Sequence, residues 1–141
     1  DEICETTSRA MFVTMIVGVY DKNKNELLLA NAGHEPPLIF SKDGNFKTID
    51  EAGPPLGIAP NFKFTEQIIS FKESSMYIFT DGITEMKNNN GEMLGQEGFQ
   101  DYIKKYQSTP NNKRLQKMIE DLIGSGRIQK DDLTIVTVDG K

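Results

Sequence analysis

Two acidic corners, far apart in the chain, hold the residues best suited to chemistry. Asp81-Gly82 ends the apolar run Met76-Tyr77-Ile78-Phe79-Thr80, and Asp131-Asp132 opens the apolar run Leu133-Thr134-Ile135-Val136-Thr137-Val138. Each puts a carboxylate where a buried strand meets solvent. Two such strands side by side would hold their carboxylates close together. Anions that close repel unless a cation sits between them or one takes up a proton. The pattern suggests a metal site, and a metal site suggests hydrolysis.

Plainer readings stand beside this one. Asp81-Gly82 also fits a turn that closes a strand. Asp131-Asp132 also fits a polar loop, or a surface pair with Lys130 of little energetic weight. The context of Asp81 favours the site, because Ile83-Thr84-Glu85-Met86 is not a returning strand and Gly82 frees the carboxylate to project. A hard cation takes about six oxygen ligands, some of them water. Two carboxylates are too few for a two-metal hydrolytic site, whose ions lie about 3.5–4 Å apart and share ligands.

His34 is the sole histidine and a candidate general acid. A lone histidine among Gly and Pro more often serves the structure, here as part of a tight bend in which Asn31 and His34 bond to local backbone. One histidine excludes His-rich zinc sites and leaves a metal to oxygen ligands. Gly53-Pro54-Pro55-Leu56-Gly57 has no lysine and no phosphate-loop spacing, so it is not a nucleotide cradle.

The elements that must position these residues can be read from periodicity. Met11 to Tyr20 is nearly continuous in apolar and β-branched residues and predicts a strand buried on both faces or central in a sheet. Asp21 to Asn25 is a polar turn, and Glu26 to Asn31 returns as an antiparallel partner. Leu38-Ile39-Phe40 follows, with Asp43-Gly44 as a type I′ hairpin turn. Phe62 to Phe71 and Met76 to Thr80 predict two more strands. The period then changes: Phe99, Tyr102, Ile103 and Tyr106 share one helical face. Thr109-Pro110 starts a second helix, with Thr as cap. Leu115, Met118, Ile119 and Leu122 form its apolar stripe, and Gly124 marks its end. A last strand covers 132–139. This order predicts an α+β layer structure, helices on antiparallel sheets.

The 141 residues suit one domain. The net charge of −5 and the lack of a basic stripe argue against nucleic-acid binding. No apolar run is long enough to span a membrane, and the acidic start Asp1-Glu2-Ile3-Cys4-Glu5 does not look like a targeting segment. The single cysteine, Cys4, points to a reducing, cytoplasmic setting.

Five segments occur in order: Phe12-Val13-Thr14; Ala30-Asn31-Ala32-Gly33-His34-Glu35-Pro36-Pro37-Leu38; Gly53-Pro54-Pro55-Leu56-Gly57; Phe79-Thr80-Asp81-Gly82-Ile83-Thr84-Glu85; and Gln129-Lys130-Asp131-Asp132-Leu133-Thr134. Together they resemble the SpoIIE branch, with RsbU-like regulators, of the PPM-type (type 2C-like) serine/threonine phosphatases. The likeness runs from Met11 to Val138, with 1–10 expected to be an irregular lead-in and 11–141 the C-terminal part of the phosphatase domain.

The resemblance implies a partial α-β-β-α sandwich of antiparallel sheets, with two helices between the late strands. It implies two Mn2+ or Mg2+ ions in an intact domain and in-line attack of water on a phosphoserine or phosphothreonine. Asp81 and Asp131 match metal ligands. Gly82 would bring backbone close to the site, and Asp132 would stand behind the ligands or beside the metal waters. The implied substrate is a phosphorylated regulatory protein, such as a sigma-factor regulator in a stress response. The family's earlier Asp-x-Ser-Gly-His-Gly-like motif does not occur before Met11. The chain alone is therefore expected to bind metal weakly or not at all and to be inactive, and its first strand to leave an edge and an apolar face through which it self-associates. The alternative is a catalytically inactive module that uses this fold to hold a regulatory partner.

Overall fold

The computed structural model describes residues 2–6, 11–50 and 52–140. The chain falls into two compact units, Asp1–Met76 with Val138–Lys141, and Tyr77–Thr137. The boundary runs through two strands. The elements are α1 (Glu2–Thr6), β1 (Met15–Asp21), β2 (Glu26–Ala32), β3 (Leu38–Ser41), β4 (Phe46–Thr48), β5 (Gln67–Ser70), β6 (Ser74–Phe79), α2 (Asp81–Thr84), α3 (Gly95–Tyr106), α4 (Asn111–Gly124) and β7 (Ile135–Asp139). One sheet has the order β1-β2-β5, the other β4-β3-β6-β7. The α+β class is as expected, with antiparallel sheets and α3 and α4 between the late strands. No helix among the described residues is long and apolar enough to cross a membrane.

In the first unit, β1 and β2 form the expected hairpin, in register from Met15↔Ala32 to Asp21↔Glu26. Alternation along β2 sends Leu27, Leu29 and Asn31 into the core, joined by Ile69 of β5. Five expectations need correction here.

Among the described residues β1 is an edge strand, not a buried or central one, and Met15, Val17 and Val19 are exposed. A continuous apolar run shows that a strand can be covered on both faces, but not which chain covers it. Residues 2–6 of the supposedly irregular lead-in form α1, while 1 and 7–10 lie outside the described residues. Only Gln67–Ser70 of the run from Phe62 to Phe71 is a strand.

The Asp43-Gly44 turn is not type I′, since Gly44 alone has positive φ (86°). Gly44 N donates to Ser41 O (2.9 Å) and Ser41 N to Asn45 O (3.0 Å), a type I turn closed by a left-handed glycine. Asp43 favours this form, because its carboxylate accepts the Asn45 N–H (3.2 Å) and side-chain amide (2.8 Å). Finally, the His34 ring does not bond to backbone: Nδ1 lies 3.2 Å from the Thr14 hydroxyl.

In the second unit, Tyr77, Phe79, Ile83, Met86, Leu94, Phe99, Ile103, Met118 and Leu122 are buried together in the core. Phe99 meets Phe79 at 4.8 Å and Tyr77 edge-on at 6.4 Å. The apolar stripe of α4 is rotated from the expected one. Arg114, Met118 and Leu122 are buried, and Arg114 Nη1 donates to the Tyr77 hydroxyl (3.1 Å). Pro110, not Thr109, precedes the helix, with no side-chain cap. Instead Pro110 O accepts Lys113 N (2.8 Å) and Arg114 N (3.0 Å).

Candidate functional site

The two acidic corners are brought together within the second unit. Thr80 N donates to Thr134 O (3.2 Å), so the end of β6 is tied to the segment entering β7. The Thr80 hydroxyl completes a clamp: it donates to Asp132 O (3.0 Å) and accepts from Thr134 N (3.1 Å). Gly82 is buried, and a Cβ built on it would stand 2.4 Å from Asp132 O and 3.5 Å from Asp131 C. Only a residue without a side chain lets the two corners approach this closely.

After Thr80 the chain turns into α2, one turn long. Asp81 O accepts the Glu85 amide (2.8 Å) and the Thr84 hydroxyl (3.1 Å). This turn buries Ile83 and leaves Asp81 exposed. Among the described residues the Asp81 carboxylate accepts no hydrogen bond. Asp131 Oδ1 accepts the Asp132 N–H (2.7 Å), and Gln129 Nε2 donates to Asp131 O (2.9 Å). Asp131 thus has one oxygen engaged by backbone while the Asp81 carboxylate has neither, and oxygen donors of this kind suit a hard divalent ion. The donor set is nevertheless small. No group of three or more His, Cys, Asp or Glu side chains able to hold a metal occurs among the described residues.

Thr80 is the positioning residue that the sequence reading missed. Its signal is a hydroxyl directly before Asp81, with Thr134 two residues beyond Asp132.

His34 belongs to the first unit. Its backbone N–H donates to Asn31 Oδ1 (2.9 Å), and Asn31 Nδ2 donates back to His34 O (3.0 Å), so the expected bend is made by Asn31. Asn31 O also accepts the Gly53 amide (2.9 Å). Gly33 has φ +70°, and a Cβ there would fall 2.6 Å from the Pro55 ring. The Asn31–Pro37 and Gly53–Gly57 segments therefore support one another through close packing, which accounts for Gly33, whereas Gly53 is crowded by the Phe62 and Phe64 rings.

Comparison with known proteins places this geometry in context. The family model for stage II sporulation protein E (SpoIIE) matches residues 1–141. Protein IcfG of Synechocystis is 33% identical over 132 residues, which is 92% of this chain and 21% of that protein. Phosphoserine phosphatase RsbU of Bacillus subtilis is 26% identical over 137 residues, 95% of this chain and 41% of that protein. The chain thus spans less than half the length of either relative. Among solved structures, the RsbU and RsbW domains of Rv1364c from Mycobacterium tuberculosis align with TM-score 0.73 at 23% identity, over 91% of this chain and 36% of that one. The phosphatase domain of SpoIIE from Bacillus subtilis gives TM-score 0.67 at 16% identity, over 98% and 61%. The catalytic domain of the serine/threonine phosphatase PstP, in complex with two manganese ions, gives 0.70 at 13% identity, over 99% and 65%. At these identities the structural matches establish the fold.

Proposed function

Because the chain belongs to the SpoIIE family of PPM-type phosphatases, we propose that Asp81 and Asp131 hold a divalent cation at the hydrolytic centre of a phosphoserine/phosphothreonine protein phosphatase. The observation that carries this reading is the backbone of Asp131-Asp132 lying directly on Gly82, next to Asp81. In this reading the Asp81 and Asp131 carboxylates share one region, where their mutual repulsion would make a dication favourable. A neighbour of the same fold is known with two manganese ions, so Mn2+ or Mg2+ is the ion proposed.

When bound, the ion would neutralise phosphoryl oxygens and lower the pKa of an attacking water. The chain's own residues set the stage for it. The Thr80 clamp fixes the approach of the two corners, Gly82 makes room for the Asp132 carbonyl, and α2 aims Asp81 outward. Asp132 stands behind the ligands and shapes the loop that presents Asp131. His34 lies in the first unit and is not among the residues that carry this proposal. The proposed substrate is a phosphorylated regulatory protein, in keeping with the relative named a phosphoserine phosphatase.

The test is manganese-dependent hydrolysis of a chromogenic phosphate ester by the full-length protein. Asp81→Asn and Asp131→Asn should each abolish turnover. Retained activity in either would refute its role as a ligand, and no turnover by the full-length protein would favour an inactive module that holds a regulatory partner.

A further inference from the structure

The acidic corners are tied together at a second place, after Asp81 in one segment and before Asp131 in the other. α4 ends at Gly124 with Ser125 as its C-cap, and Gly126 follows with φ +76°. A left-handed glycine there turns the chain off the helix. It delivers Arg127 and Ile128 to the segment that leaves α2. Ile128 N donates to Lys87 O (2.8 Å) and Lys87 N to Ile128 O (3.3 Å), a mutual antiparallel pair. On the other side of Lys87, Leu94 N donates to Met86 O (2.8 Å) and Asn88 N to Glu92 O (3.0 Å). Three short segments thus lie side by side, with 86–88 in the middle.

Together with the Thr80 clamp, this pairing closes a frame around the two corners. One rail runs from Thr80 to Lys87 and carries Asp81. The other runs from Ile128 to Thr134 and carries Asp131. The Thr80–Thr134 bonds close one end, and the Lys87–Ile128 bonds close the other. Arg127 fastens this second end from the side, where its Nη1 reaches both Met86 O and Glu92 O at 3.4 Å. Bonds of that length are weak singly, but one charged donor shared by two carbonyls joins all three segments. The guanidinium is half-buried, and no carboxylate forms an ion pair with it among the described residues.

We propose that Arg127 is a positioning residue for the cation site: by locking the Lys87–Ile128 end of the frame, it fixes where the Asp131 corner stands relative to Asp81. This rests on the reading of Asp81 and Asp131 as cation ligands. A frame held only at Thr80 lets the rail that carries Asp131 swing, and the cost of ordering it is subtracted from the affinity for a dication. Groups one step behind the ligands change metal affinity by about 10–100-fold when removed. The sign of the effect separates positioning from plain electrostatics. A cation near a dication site repels the ion, so deleting the Arg127 charge would by itself tighten binding. Loss of positioning weakens it.

The test titrates manganese into the 15N-labelled chain and follows broadening of the Asp81 and Asp131 amide signals. Arg127→Ala should raise the half-saturating manganese concentration by about 10-fold or more. The loss should persist in about 1 M salt, where the screening length falls to ~3 Å. Ile128→Pro, which deletes the 2.8 Å donor to Lys87 O, should weaken binding in the same way. Lys130→Ala removes an exposed cation beside Asp131 without touching the frame, and should leave the affinity unchanged or tighten it. Before metal is added, Arg127→Ala should speed hydrogen exchange at the Ile128 amide, while the Thr134 amide, held by the Thr80 hydroxyl, stays protected. If the wild type binds manganese at both corners and Arg127→Ala binds it equally well or more tightly, this proposal alone is overturned. Weakening in Lys130→Ala as large as in Arg127→Ala would also overturn it. A wild type that binds no manganese at the corners overturns the reading of the site and this proposal with it.

Discussion

Replacing Gly82 by alanine probes the closeness of the two acidic corners. The new Cβ would lie 2.4 Å from Asp132 O, where real contacts stay beyond 3.0 Å, so the loop has to retreat by roughly 0.6 Å or more. The atom it meets is backbone, tied to Thr80 by a 3.0 Å hydrogen bond, and cannot swing aside as a flexible side chain would. Overpacking of this kind costs about 1–3 kcal/mol, and stretching the Thr80 bond adds about 1 kcal/mol. Alanine's better helix propensity returns about 0.8–1 kcal/mol. The expected net loss is about 1–3 kcal/mol, which urea denaturation reads as a midpoint lower by about 1 M. Gly124→Ala is the matched control. Its Cβ meets nothing within 4 Å at the exposed end of α4, so the same chemical change should be neutral or stabilising by up to about 1 kcal/mol. A Gly82→Ala midpoint at or above that of the wild type would refute the close approach of the corners.

Other outcomes follow from the same contacts. Asn31 is 2% exposed and holds both polar backbone groups of His34. Asn31→Ala should cost about 1–3 kcal/mol in urea denaturation, with faster amide exchange at His34. Asp121 accepts a 2.6 Å hydrogen bond from Lys105, which chiefly holds its carboxyl below the usual carboxylate range. A depressed folded pKa stabilises above the unfolded value and is lost as pH falls through the folded one. Asp121→Asn should therefore lower the thermal midpoint slightly at neutral pH, less in high salt, with the difference vanishing in acid.

Much of the fold was legible because its signals are local. The β1–β2 hairpin follows from two apolar runs around a polar turn, and α3 and α4 from the change of period after Asp81. What failed depends on groups distant in sequence or on competition between local bonds. The exposure of β1 is decided by what covers it, which its own residues do not encode. Arg114 joins the buried face of α4 because the Tyr77 hydroxyl, 37 positions earlier, accepts its guanidinium. Asp43 bonds to Asn45 and so shifts the turn away from type I′. The meeting of Asp81 with Asp131-Asp132 was legible because each adjoins an apolar run, although the last strand starts at Ile135 rather than at the expected 132. The Thr80 clamp was not, since a threonine in a strand is ordinary and only pairing with Thr134 reveals its use.

A shared cation at Asp81 and Asp131 can be tested in this chain without turnover. Manganese titrated into the 15N-labelled protein should first broaden the amide signals of Asp81, Gly82, Asp131 and Asp132 together, with magnesium competing and Asp81→Asn removing the effect. Broadening that starts elsewhere, or that persists unchanged in Asp81→Asn, would contradict the account.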